Sequence, residues 1–134
     1  MTTAVDASAL VAILLDEPEK SAFVTRILAD DCQISPVGYW EAAIRARQLH
    51  GEEGVARLDR MLSELGIRIA ATSEVTARLA ADAERRFGKR TPAKLNLGDC
   101  FAYALAKESD VPLLFKGGDF TQTDLTPALP ARTD

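Results

Sequence analysis

The stretch that decides the fold is Val5-Asp6-Ala7-Ser8-Ala9-Leu10-Val11-Ala12-Ile13-Leu14-Leu15, VDASALVAILL. A short strand, Thr2–Val5 (TTAV), ends at an acid. A run of small and aliphatic residues then turns helical. A carboxylate at the junction of a buried strand and a buried helix costs several kcal/mol, of the order found for isolated buried ions, unless something compensates it. The candidates are a helix cap, a salt bridge and a metal ion. Asp6 therefore poses both a folding question and a chemical one.

Outward from this junction, short strands and helices alternate. Residues 7–15 and 17–29 read as helices, the second with Phe23/Ile27 and Val24/Leu28 four apart. Residues 32–35 (CQIS) read as a strand, and Pro36 suits the first turn of a third helix running to about His50. Gly51 divides that helix from a fourth, striped by Val55, Leu58, Met61, Leu62 and Leu65 and stopped by Gly66. Ile67-Arg68-Ile69 alternates like a strand. Thr72 or Ser73 caps a helix with Val75, Leu79, Ala83 and Phe87 on one face. Asn96 caps a helix to about Glu108 with Leu97, Phe101 and Leu105 toward the core, and residues 111–115 (VPLLF) form an apolar strand. The pattern predicts an α/β fold: a small parallel sheet flanked by helices on both faces. The 134 residues suit one domain, 1–134, with 126–134 as a C-terminal tail strapped over the surface.

Composition bounds the function. The chain is 47% hydrophobic and 27% charged, with a net charge of -4, so no general basic coat exists for nucleic acid, although a local basic patch is compatible with it. Cys32 and Cys100 form neither a metal spacing nor a disulfide framework, which fits a reducing, cytoplasmic setting. Asp6 comes too early, and without a preceding basic segment, for a signal peptide. The longest apolar run, residues 9–15, is too short to cross a bilayer, so no membrane contact is expected.

Three more acids resemble Asp6 in position. Glu41 (SPVGYWEAAI) lies early in the helix after the second strand, Asp99 (NLGDCFAYALA) in the first turn of an apolar helix, and Asp119 (LLFKGGDF) after the last strand. Singly, Glu41 or Asp99 complements a helix dipole, worth roughly 0.3–1 kcal/mol. Together they gather at the carboxyl edge of the sheet, where ligands bind in such folds. Four crowded carboxylates repel one another unless cations join them. Oxygen-only donors suit Mg²⁺ or Mn²⁺, and His50, the only histidine, reads as a surface residue.

The segments VDASALVAILLDEP, SPVGYWEAAIR, LNLGDCFAYALA and PLLFKGGDFTQTDL, in this order, resemble the PIN-domain family, and within it the VapC toxins of toxin–antitoxin pairs. The resemblance covers nearly the whole chain. It implies that Asp6, Glu41, Asp99 and Asp119 line one catalytic site, with Asp6, Asp99 and Asp119 as inner or water-mediated ligands of Mg²⁺ or Mn²⁺. It places Ser8 beside the metal, where the same residue also reads as a helix cap. It matches Asp124 to an outer-shell position, against a surface-turn alternative. The implied activity is a metal-dependent endoribonuclease acting by in-line attack of an activated water, leaving 5′-phosphate and 3′-hydroxyl ends. Glu41 then ligates or orients the water. The implied partners are a VapB-like antitoxin, an RNA and a second copy of the chain, for which the apolar faces of the third and fourth helices offer surface. The small first strand departs from the larger aliphatics usual in that family.

An acidic protein needs local cations to hold RNA. RRFGKRTPAK, residues 85–94, has five basic residues in ten. Arg85, Arg86, Lys89, Arg90 and Lys94, with Arg45 and Lys116, are candidate phosphate contacts; a solvated helix end is the alternative for Arg85 and Arg86. Arg45 is also placed to pair with a carboxylate. Cys100 reads as a small core residue, and Trp40 with Ile44 as core. A dehalogenase-type phosphatase would need a second acid where Ser8 stands, and a receiver domain an acid pair that is absent. A non-catalytic module of the same fold, binding RNA or protein, is the remaining alternative.

Overall fold

The computed structural model describes residues 1–130. Its strands are β1 (Thr2–Val5), β2 (Asp31–Ile34), β3 (Arg68–Ile69) and β4 (Leu113–Leu114). They form one four-stranded sheet in the order β3-β2-β1-β4, every pairing parallel. The helices are α1 (Ala7–Leu14), α2 (Lys20–Ala29), α3 (Pro36–Leu65), α4 (Glu74–Phe87) and α5 (Leu97–Ser109), with a 3₁₀ turn at Asp119–Gln122. The expected alternation of strand and helix is thus observed, and β1, the strand that ends at Asp6, lies inside the sheet.

Each face of the sheet carries its own core. Val5, Ile34 and Leu114 point into a cluster with Leu10, Ile13, Phe23, Ile27, Leu58 and Met61 from α1, α2 and α3. Ala4 and Leu113 point the other way, into Ala83, Ala102, Tyr103, Leu105 and Phe120. Alternate residues of one strand therefore serve opposite cores. Ala4 is fully buried in the same cluster as Ala102, Ala104 and Ala106 of α5, so a small residue of β1 is matched by small residues of the helix beside it. Thr3, also fully buried, donates to Asp30 at 2.6 Å, and Arg26 donates to the same carboxylate at 2.7 Å.

Local signals set the element ends. Ser35 caps α3 through Val37 and Gly38, and Ser73 and Asn96 each close a capping box. α3 is two helical segments joined at His50 and Gly51, where Gly51 takes φ 63°, and Gly66 ends it in the left-handed region at φ 70°. A Tyr39–Asp59 hydrogen bond of 2.6 Å ties the two segments together.

Three expected core positions are not core. Trp40 is 58% exposed, Leu97 65% and Val75 56%. Gly38, Ala42, Ala43 and Ala46 take the inward face of α3, which turns Trp40 outward. Leu97 and Val75 stand in the first turns of α5 and α4, beyond the cover of the sheet. The tail differs too. Leu113 and Pro127 form a parallel bridge, with Leu113 N–H donating to Thr126 O at 3.0 Å and Ala128 N–H to Leu113 O at 2.8 Å. It extends the sheet at β4 rather than only strapping the surface, and Ala128 is buried. The rest of the expected tail, 131–134, lies outside the described residues.

Candidate metal centre at the carboxyl edge of the sheet

Parallel strands bring their carboxyl ends to one edge, and the acids collect there. Asp6 follows β1 and caps α1, its carboxylate accepting the Ser8 N–H at 3.0 Å. Of the three compensations open to Asp6, the cap is present, and no salt bridge to it forms among the described residues. Asp99 sits in the first turn of α5, where it accepts the Asn96 N–H at 3.0 Å while its own N–H donates to Asn96 at 2.9 Å. Glu41 lies in the first turns of α3. These three line one pocket of about 500 Å³ with Ser8, Arg45, Asn96 and Lys116. Glu17, which the sequence reading passed over, also lines it.

The electrostatics match the crowding. Burial pushes Asp6 up to about 6; hydrogen bonds from Ser8 oppose this and the Asp99 charge adds to it. Burial pushes Glu41 up to about 7, reinforced by the charges of Asp6 and Asp99. Burial also raises Asp99; the Asn96 N–H opposes that, and Asp119 adds to it. Asp119 is exposed on the 3₁₀ turn, outside the pocket lining but within electrostatic reach of Asp99. The four acids thus form a chain of mutual repulsion along one edge.

Glu41 rests against a specific surface. A Cβ on Gly98 would stand 1.7 Å from its Oε1, so the carboxyl group lies over the bare Cα of Gly98. Sequence reading missed this, since only the contact across two helices reveals it.

Lys116 donates its N–H to Ser8 Oγ at 3.0 Å, and its Nζ lies 3.3 Å from Glu17 and 3.4 Å from Glu19. Arg45 lines the pocket and forms no ion pair among the described residues, so it does not pair with a carboxylate. Lys89 is close enough to favour the charged form of Asp99. Arg85 and Arg86 instead pair with Asp82, and Arg86 also with Asp124. Arg90 and Lys94 are exposed on the loop between α4 and α5. Asp124 is outside the pocket lining. It accepts from the Tyr103 hydroxyl at 2.6 Å and lies 3.3 Å from both Arg86 and Lys107, the surface alternative to an outer-shell place. Cys100 is buried and its thiol is pushed up to about 11, as suits a core residue.

The donor chemistry fits a hard divalent cation: carboxylate oxygens, partly desolvated, with no histidine or cysteine in the pocket lining. Among the described residues, no three such side chains yet converge at metal-holding distance. Also among the described residues, no helix is long and apolar enough to cross a membrane.

The model of the PIN domain family matches residues 3–125. The chain is 44% identical over 129 residues to ribonuclease VapC30 of Mycobacterium tuberculosis, covering 94% of this chain and 98% of that one. It is 44% identical over 123 residues to ribonuclease VapC of Mycolicibacterium smegmatis, covering 90% and 95%. Among solved structures, M. tuberculosis VapC20, described as a sarcin–ricin loop cleaving toxin, superposes with a TM-score of 0.75 at 12% identity, covering 92% and 96%. VapBC2 of Rickettsia felis, bound to a DNA fragment from its promoter, superposes with a TM-score of 0.71 at 15% identity, covering 95% and 96%. At those identities, the structures speak for the fold.

Proposed function

The chain belongs to the PIN domain family, and from that premise we propose that it is a divalent-metal-dependent endoribonuclease, the toxin of a toxin–antitoxin pair. The observation that carries this reading is one pocket lined by Asp6, Glu41 and Asp99, whose carboxyl groups are raised above the ordinary range. Mutual repulsion of this kind is relieved by a cation. Asp6, Asp99 and Asp119 would hold Mg²⁺ or Mn²⁺. When bound, such an ion supplies an acidified water for in-line attack and neutralises charge on the phosphoryl oxygens.

The chain's own residues do the rest. Glu41 orients the attacking water and accepts its proton. Arg45 and Lys116, on the pocket wall, take the phosphates flanking the scissile bond, and Lys89 extends this cationic border. Ser8 fixes the backbone at Lys116 while holding Asp6. A VapB-like antitoxin is the proposed protein partner, as the relatives' names support, and a second copy of the chain is proposed as the dimer mate.

The test is cleavage of end-labelled transfer RNA and a short single-stranded RNA with Mg²⁺, Mn²⁺ or EDTA, beside an Asp99→Asn preparation. Cutting that needs metal and vanishes in the variant is the expected result. Equal cutting by both proteins would mark contamination or a misplaced site. Binding without cutting would favour the non-catalytic module.

A further inference from the structure

Glu41 is half-buried, yet its carboxylate has no hydrogen bond or ion pair among the described residues. Asp6 and Asp99 are each fixed by a backbone N–H from a cap, whereas no donor fixes Glu41. Its position comes from shape. The three atoms nearest a Cβ on Gly98 are Glu41 Oε1, Cδ and Oε2, at 1.7, 2.1 and 2.4 Å. No real Cβ tolerates such distances, so any side chain at position 98 evicts the carboxyl group from its seat. Glycine is also a poorer helix former than alanine. Gly98 is not in the left-handed region, so backbone conformation does not demand it. The remaining reason for a bare Cα here is the space it leaves.

We propose that Gly98 is a positioning residue: its bare Cα seats the Glu41 carboxylate within electrostatic reach of Asp6 and Asp99 and so sets the geometry of the reaction. The inference rests on the ribonuclease reading for its consequence in rate, but not for the contact itself. Gly98 acts through Glu41 and touches no substrate. A side chain there moves a carboxylate by an ångström or more, a displacement that costs reactions about 100-fold when a reacting group is misplaced.

The test compares wild type, Gly98→Ala, Glu41→Ala and the double variant. In EDTA, thermal melting reads the contact alone. The change in Tm caused by Gly98→Ala should be slightly more favourable in the Glu41→Ala background, where the clashing group is gone; the margin is small because a side-chain carboxylate can swing aside. With Mg²⁺ and a fixed RNA, Gly98→Ala should lower the single-turnover rate about 10- to 100-fold at unchanged RNA affinity. The double variant should cut no more slowly than Glu41→Ala. Equal Tm changes in the two backgrounds, or wild-type cleavage by Gly98→Ala, would overturn the proposal. Wild-type protein that fails to cut any RNA would count against the ribonuclease reading alone, because the melting comparison still decides whether Gly98 seats Glu41.

Discussion

Ser8 and Lys116 are 108 residues apart, and the Lys116 N–H donates to Ser8 Oγ at 3.0 Å. The Ser8 hydroxyl and N–H both also bond Asp6, which lowers that acid against the effect of burial. One small side chain thus joins the first turn of α1, the loop after β4 and the acid between them. Replacing Ser8 by Ala removes the hydroxyl bond to Asp6 and strands the Lys116 N–H. The acidic limb of the pH–rate profile should move to higher pH, so the loss of cleavage is larger at pH 6 than at pH 8. Ser8→Thr should restore most of the activity. A profile unchanged by Ser8→Ala would remove Ser8 from the site.

Asp6 and Glu41 have folded-state values of about 6 and about 7, against ordinary values of 3.8 and 4.5. Between these limits the folded state binds more protons than the unfolded one, so stability falls as pH rises from about 4 to about 7. In EDTA, the melting temperature should therefore be higher at pH 5 than at pH 8. Asp6→Asn, which keeps a capping oxygen and removes the charge, should melt higher than wild type at pH 8. Because a cation binds the deprotonated acids, Mn²⁺ should raise the melting temperature more at pH 8 than at pH 5. Calorimetry across this range checks all three signs.

Tyr103, buried in the second core, donates to Asp124 at 2.6 Å, and Arg86 and Lys107 close around the same carboxylate. This cluster pins the turn after the 3₁₀ segment to α4 and α5. Tyr103→Phe should cost about 1 kcal/mol, the usual worth of such a bond with its acceptor part-exposed. Cleavage per folded molecule should stay near wild type. Denaturant unfolding alongside a cleavage assay separates the two, and a large rate loss with intact stability would return Asp124 to the site.

Arg45 faces the pocket without a carboxylate partner among the described residues, whereas Arg85 and Arg86 are engaged with Asp82 on α4. Arg45→Ala should weaken RNA binding and reduce the slope of log affinity against log salt by about 0.7–1. Arg85→Ala should change the slope little. Binding titrations at several salt concentrations decide the matter, and equal effects would mean a diffuse basic surface instead of a pocket contact.

What could be read from the sequence was what local chemistry determines. Ser73 and Asn96 announce helix starts because capping is settled within four residues, and Gly66 announces a stop for the same reason. Asp6, Asp99 and Glu41 were legible as a group because parallel strands send their ends to one edge. Trp40, Leu97 and Val75 are exposed against expectation because periodicity gives a helix an apolar face without saying how far its neighbours reach. The pairing of Pro127 beside Leu113 and the seat of Glu41 on Gly98 depend on residues distant in the chain, which no local pattern encodes. The Lys116 pairing with Glu17 and Glu19 is hidden for the same reason.

β1 lies inside the sheet, and the strand on one side of it comes from far along the chain. The Ala4 N–H is held by Pro112 O at 3.0 Å, and the Asp6 N–H by Leu114 O at 2.9 Å. During translation, at about 5–20 residues per second, Asp6 is made on the order of 5–20 s before Leu114. Until then its backbone has no partner on that side, and the loop carrying Lys116 and Asp119 does not yet exist. A chain lacking β4 lacks both the hydrogen-bond partners of β1 on that side and the loop that carries Lys116 and Asp119.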